Sequence, residues 1–159
     1  SLRKLFDVRV TGVSAGDSIA FSEGGILILS PPVDEQTFHS KNIIGENNAS
    51  LLVRFNISGV RLLFTGDIEK VVQRLAVSWD SALESEILKV PHHGASGLQN
   101  EFIAAIQPEL AVISCGFRNM YGHPAATTIS TLNKHGCTVQ RTDTDGTIRI
   151  LLPSMKITP

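Results

Sequence analysis

Apolar residues fall into short blocks whose spacing changes along the chain. Residues 6–10 are short and apolar-rich, and residues 18–22 alternate Ile19 and Phe21 against small polar residues, the period-two pattern of a half-buried strand. Gly16-Asp17 marks a turn between them, and Glu23-Gly24-Gly25 predicts a hairpin turn into a further strand at 26–29. From Pro31 to Asn48 the chain is polar and without period, and a long loop is expected. Two β-rich runs follow at 50–55 and 60–64, with a hairpin signal at Asn56-Ile57-Ser58-Gly59 between them.

Beyond the second run the period lengthens. Val71, Val72, Leu75 and Ala76 recur at helical spacing between residues 68 and 78, and a polar link leads to a short apolar run at 86–90. A helix carrying Phe102, Ile103 and Ile106 ends before Pro108, and a strand follows at 110–114. The loop 116–124 opens a helix through Ile129 and Leu132 to Gly136, and strands at 138–141 and 147–152 flank a turn at 143–146. Strands alternating with helices after residue 60 predict an α/β (α+β) fold, a mixed sheet with helices packed on it. The hairpin-rich start predicts antiparallel pairing there.

At 159 residues and 42% hydrophobic content, the chain is sized for a single domain over 1–159. Lys and Arg number 14 against 15 Asp and Glu, so there is no broad basic field to draw in phosphate backbones. Nucleic acid, if bound, must be met at a local site or with help from another domain. Cys115 and Cys137 lie in apolar runs without CxxC neighbours and are expected to be buried free thiols. No apolar stretch approaches the ~20 residues needed to cross a bilayer, and a soluble segment is expected whatever its parent.

Three polar clusters each follow an apolar strand directly: Thr65-Gly66-Asp67, His92-His93-Gly94, and the loop from Asn119 through Tyr121 and His123 to Pro124. In α/β sheets such strand ends converge on one rim, where ligands bind. Asp67 is a candidate metal ligand, or else the N-cap of a helix starting at Ile68. His92 and His93, on an extended backbone, would point to opposite sides, so one would ligate while the other hydrogen-bonds or meets substrate. Imidazole there suits zinc or manganese, although a turn with two half-exposed histidines is also open. His123 could donate a proton or hold a phosphate oxygen, or be a surface residue. Asn47, Asn48 and Ser50 could reach substrate or simply make a turn. Asp143 and Asp145 read as structural, and His39 and His135 are assigned no role.

The ordered segments Asn47 to Val53, Leu63-Phe64-Thr65-Gly66-Asp67, Leu88-Lys89-Val90-Pro91-His92-His93-Gly94, Ile113-Ser114-Cys115-Gly116, Asn119 to Pro124 and Arg141-Thr142-Asp143 resemble the C-terminal metallo-β-lactamase-like domain of the DNA-internalisation competence protein ComEC family. The resemblance spans about residues 16–150 and implies a four-layer αββα sandwich with one or two divalent metals, zinc or manganese. It also implies phosphodiester hydrolysis on DNA, single-stranded or duplex, in the soluble part of a bacterial inner-membrane protein. It places Asp67 at the metal-bridging aspartate, His92 or His93 at a late ligand histidine, and His123 as a catalytic group at the rim. Asn47, Asn48, Ser50, Asn119 and Tyr121 fall on its substrate side. In such sites a metal lowers the pKa of a bound water toward ~7 and creates the attacking hydroxide.

One departure counts heavily. The family's His-x-His-x-Asp-His motif supplies most of its ligands, yet no such string occurs here. A catalytic zinc takes three protein ligands plus water, and one Asp with one His falls short. The chain is therefore expected to be the C-terminal half of the sandwich with part of its first sheet, inactive alone. It should associate with the remainder of its parent or with itself through an uncovered sheet face. A non-catalytic domain that holds DNA or a protein partner, and a hydrolase of another phosphodiester, are the alternatives.

Overall fold

The computed structural model describes residues 12–30 and 45–158; the expected strand at 6–10, residues 31–44 of the expected loop, and His39 lie outside them. Strands β1 (Ser18–Phe21) and β2 (Gly24–Ser30) form an antiparallel hairpin. The turn sits at Ser22 and Glu23, and Gly24 and Gly25 belong to β2. Strand contact explains the glycine at 24: a Cβ there would lie 1.7 Å from the Asn56 carbonyl oxygen of the next strand. Strands β3 (Leu52–Ile57) and β4 (Val60–Phe64) are joined by Ser58 and Gly59 alone. Both have positive φ, 51° and 84°, the backbone that a tight two-residue hairpin needs to match strand twist.

From β4 onward the chain crosses over in strand–helix–strand units. Helix α1 (Lys70–Ala76), continued by a 3-10 segment at Val77–Ala82, leads to β5 (Ile87–Lys89). Helix α2 (Asn100–Ile106) leads to β6 (Leu110–Ile113), and α3 (Ala126–Lys134) to β7 (Thr138–Arg141). The seven strands lie in sequence order in one sheet, antiparallel from β1 to β4 and parallel from β4 to β7. The mixed α/β expectation holds. The expected hairpin across 143–146 does not: Thr142–Asp145 is one helical turn, α4, and β8 (Arg149–Leu151) pairs with β9 (Lys156–Thr158) in a separate small sheet. Packing accounts for the difference: Ile150, Leu152, Met155 and Ile157 of this small sheet and its turn cover Val60, Ile87 and Leu110 on the face of the large sheet rather than extending its edge at β7.

Period-two alternation sorts the strand residues onto two faces. Leu63, Leu88, Ala111 and Ile113 meet Val72, Phe102, Ile103, Ile106 and Leu132 from the helices, forming one dry layer between sheet and helices. Val60, Ile87 and Leu110 face the other way and meet Ile150, Leu152, Met155 and Ile157 around β8 and β9. Cross-strand register puts Ile19, Phe21 and Phe64 on this second face, where all three are exposed. Phe64 packs edge-on against Phe55 at 5.4 Å between centroids. Among the described residues the chain thus builds a helix layer on one face of the seven-stranded sheet and the small β8–β9 sheet against part of the other.

A charged cluster ties the connection before β5 to the sheet. Arg61 donates to both Glu84 and Glu86, and Arg54 donates to the carbonyls of Ser81 and Ala82. The Arg61 hydrogen bonds hold the Glu86 carboxyl below its usual range, against the opposing pull of burial. A carboxylate lowered on folding adds stability that is fully present above its unfolded value and is lost as pH falls through the lower folded value. Glu86→Gln should therefore cost about 1 kcal/mol at neutral pH. In urea titrations repeated at falling pH, the gap between wild type and variant should close below the ordinary glutamate range. A gap that persists in acid would rule out the charged pair as its source.

Candidate functional site

Parallel pairing brings β4, β5 and β6 to one edge, because Phe64, Lys89 and Val112 lie level across the three strands. The loops that follow are stitched together there. The Thr65 hydroxyl donates to the Lys89 carbonyl at 2.8 Å, the His92 amide to the Gly66 carbonyl at 3.1 Å, and the Ala125 amide to the Gly94 carbonyl at 2.9 Å. The three polar clusters therefore do converge, as strand-end placement predicts.

The histidine pair is not extended. His92 (φ 47°, ψ 48°) and His93 (φ 54°, ψ 21°) are both left-handed within the 3-10 turn Pro91–Gly94, a conformation costing roughly 1–2 kcal/mol per residue. The opposite-sides expectation falls with the backbone it assumed. The two rings stand 6.5 Å apart at 71°. Ring nitrogen Nδ1 of His93 lies 2.7 Å from the Ser114 carbonyl oxygen, which can only accept, so Nδ1 carries the proton. The other ring nitrogen, Nε2, faces Oδ1 of Asp67 at 3.7 Å. Two acceptors aimed at each other repel unless a proton or cation lies between them. Two ligands of a tetrahedral zinc sit about 3.4 Å apart, close to the observed spacing. A backbone carbonyl on the far nitrogen is the usual support of a metal-bound histidine.

Asp67 does not cap a helix. Helix α1 starts at Lys70 with Glu69 in the cap position, leaving the Asp67 carboxylate, 38% exposed, at the rim beside His93. Its backbone is held from behind: the Asp67 amide donates to Ser50 Oγ at 3.0 Å, and a Cβ at Gly66 would come within 2.6 Å of Ser50 Cβ. Asn48, buried, accepts the Glu69 amide at 3.0 Å, and Asn47 donates to the Glu69 carboxylate at 3.1 Å. Asn47, Asn48 and Ser50 thus all act on the loop that carries Asp67.

His123 completes the cluster. Its ring is 6.0 Å from His92 and stacks on Tyr121 at 5.9 Å and 23°. Burial, then the neighbouring His92 and His93, hold it below the ordinary histidine range, so it is neutral at pH 7. Asn119 clamps the loop, accepting the His123 amide at 2.9 Å and donating to the carbonyls of Gly116 and His123 at 3.0 and 2.6 Å.

Other candidates stay apart. Asp143 pairs with Arg141, Asp145 accepts the Arg141 amide, and His135 reaches only Asn100. Both cysteines are free, Cys137 buried and Cys115 half-buried, and burial pushes both thiols up. Sequence reasoning passed over two contributors, the Ser114 carbonyl and Lys89. Burial lowers the Lys89 amine while the Asp67 carboxylate pulls it back up, and a lysine inside the apolar run at 87–90 was the available signal. Among the described residues no group of three or more His, Cys, Asp or Glu is arranged to hold a metal ion. The donors present do not amount to a metal site.

This chain is similar to bacterial competence proteins. It is 32% identical over 143 residues to ComE operon protein 3 of Bacillus subtilis, covering 89% of this chain and 18% of that protein. Similarity to competence protein ComA of Neisseria gonorrhoeae is 33% over 108 residues, 67% of this chain and 16% of that protein. Recombination protein 2 of Haemophilus influenzae matches at 24% over 124 residues, 77% of this chain and 15% of that protein. The chain thus spans less than a fifth of the length of these relatives. No family model matches it. Among solved structures, a protein described as a metal-dependent hydrolase from Parabacteroides distasonis superposes with a TM-score of 0.54 at 11% identity, covering 89% of this chain and 60% of that one, a likeness of fold. No helix among the described residues is long and apolar enough to cross a membrane.

Gly94 is the pivot between the histidine turn and the His123 loop. It has φ 82°, and a Cβ would meet Pro124 Cβ at 2.7 Å and Ile113 Cγ2 at 3.1 Å. Gly94→Ala should cost about 1–3 kcal/mol in urea unfolding, through both the backbone conformation and the clash. Gly116→Ala, whose Cβ would touch only Asn119 at 4.0 Å, should change little. Equal effects at the two positions would show that the loops are not held in register through Gly94.

Proposed function

We propose that this chain is the C-terminal half of a metal-dependent phosphodiesterase domain that acts on DNA during competence, in the soluble part of an inner-membrane parent. The observation that carries the reading is Nε2 of His93, in a ring oriented by the Ser114 carbonyl, facing the Asp67 carboxylate at 3.7 Å. Asp67 and His93 supply two ligands of a divalent metal, zinc or manganese, and the remaining ligands come from sequence upstream of this chain. His93 is the ligand of the pair, and His92 lies between it and His123, toward the substrate. His123, neutral at pH 7, is the catalytic group that exchanges a proton with the substrate. Asn119 fixes the His123 loop, Tyr121 meets the substrate, and Asn47, Asn48 and Ser50 hold Asp67 at the rim.

Manganese and zinc binding by calorimetry tests this directly, on the chain alone and on one extended upstream by about half a domain. Tight binding is expected only in the longer chain. His93→Ala should weaken it by about tenfold or more, and His92→Ala by much less. Absence of binding in the longer chain would favour the second reading, a non-catalytic domain that holds DNA or a partner. That reading draws support from the lack of a three-donor group among the described residues. Cleavage of a small phosphodiester in preference to DNA would redirect the substrate assignment.

The exposed Ile19, Phe21 and Phe64 mark the surface on which the rest of the parent packs. Without that cover, two copies of the chain should meet there. Light scattering is expected to show concentration-dependent association, reduced by Phe21→Lys. A strictly monomeric, monodisperse species would count against this packing surface.

A further inference from the structure

Large apolar side chains exposed to water normally occur singly, yet residues 117–121 present three: Phe117 is 73% exposed, Met120 95% and Tyr121 80%. The loop that carries them is not slack, since Asn119 closes it through three hydrogen bonds to Gly116 and His123. One face of the Tyr121 ring meets His123 near-parallel at 23°, and His123 in turn meets His92 of the candidate site edge-on at 71°. The exposure of Tyr121 leaves the other face to a flat partner. Beside it the Arg118 guanidinium lies 5.1 Å over the Phe117 ring, and Arg118 has no ion pair among the described residues. An aromatic face next to an unpaired cation is the combination that grips nucleobases and their phosphates.

Resting on the reading of the adjacent site as one that acts on DNA, we propose that residues 117–121 form a stacking platform for unpaired DNA. A base sits on the open face of Tyr121, a second packs on Phe117 and Met120, and Arg118 meets the phosphate between them. The phosphate on the other side of the first base is then delivered toward His123 and His92. Duplex DNA cannot use such a platform, because its base faces are already stacked on each other. The weak overall charge points the same way: with 14 basic against 15 acidic residues, affinity must come from stacking more than from backbone attraction.

Tyr121 is the chain's single tyrosine, so 3-fluorotyrosine gives one fluorine resonance that reports on this ring alone. The labelled chain is titrated in EDTA with a thymidine oligonucleotide about ten nucleotides long, within the span a stacking groove covers. Parallel titrations use a duplex of the same length and anionic phospholipid vesicles. A saturable upfield shift is expected with the single strand and not with duplex or vesicles. Tyr121→Leu and Phe117→Leu, which keep bulk but lose the aromatic face, should each raise Kd about tenfold. Circular dichroism unchanged from wild type would assign that loss to the ring rather than to folding. The log of affinity should fall with log salt at a slope of only about 0.7, one phosphate contact.

An equal shift with duplex, no shift with single strand, or a shift with vesicles alone would each overturn the platform. The EDTA titration separates this inference from the proposed activity. Single-strand binding by a chain whose extended form leaves DNA intact would keep the platform and remove the hydrolytic reading. Cleavage of DNA by the extended form with KM unchanged by Tyr121→Leu would do the reverse.

Discussion

Parallel pairing of β4, β5 and β6 is the constraint on which the rest of the structure depends. Parallel strands share a direction, so their C-terminal ends must lie along one edge, and the backbone groups beyond those ends need new partners. The Gly66, Gly94 and Ser114 carbonyls find them in the His92 amide, the Ala125 amide and the His93 ring, and the loops become bound to one another. A helix layer on one face holds the strands in this arrangement, through Leu63, Leu88 and Ala111 packed beneath Val72, Phe102 and Ile103. Chemistry at the rim is thus a by-product of the ladder.

Strain and polarity are concentrated at that rim. Two successive left-handed histidines are held between buried Pro91 and Gly94, with the His92 amide bonded to Gly66 and the His92 and Gly94 carbonyls accepting the Ala95 and Ala125 amides. The same turn aims Nε2 of His93 at the Asp67 carboxylate, an arrangement that calls for a proton or a cation between the two. A metal bound there, as proposed, would stabilise the loops that carry the pair. The uncovered apolar side chains on β1 and β4 make the same point for the sheet: each is favourable only when something packs against it.

Local sequence determined the elements and much of the site. Alternation at 18–22 and 60–64, helical spacing at 71–76, and the punctuation by Gly and Pro place nearly every strand and helix within a few residues, because these patterns reflect which side of each element is dry. Asp67, His92, His93 and His123 were legible as a group because each follows a strand end, and strand ends share a rim whatever the details of packing. Tertiary structure alone decided what depends on partners distant in sequence. The Ser114 carbonyl orients the His93 ring from 21 residues away, Ser50 rather than a helix claims the backbone of Asp67, and β8 pairs with β9 instead of folding back on β7. Period and punctuation record burial, which each residue carries in its own chemistry; hydrogen-bond partnership between remote segments is settled only when the sheet brings them within 3 Å or so of each other.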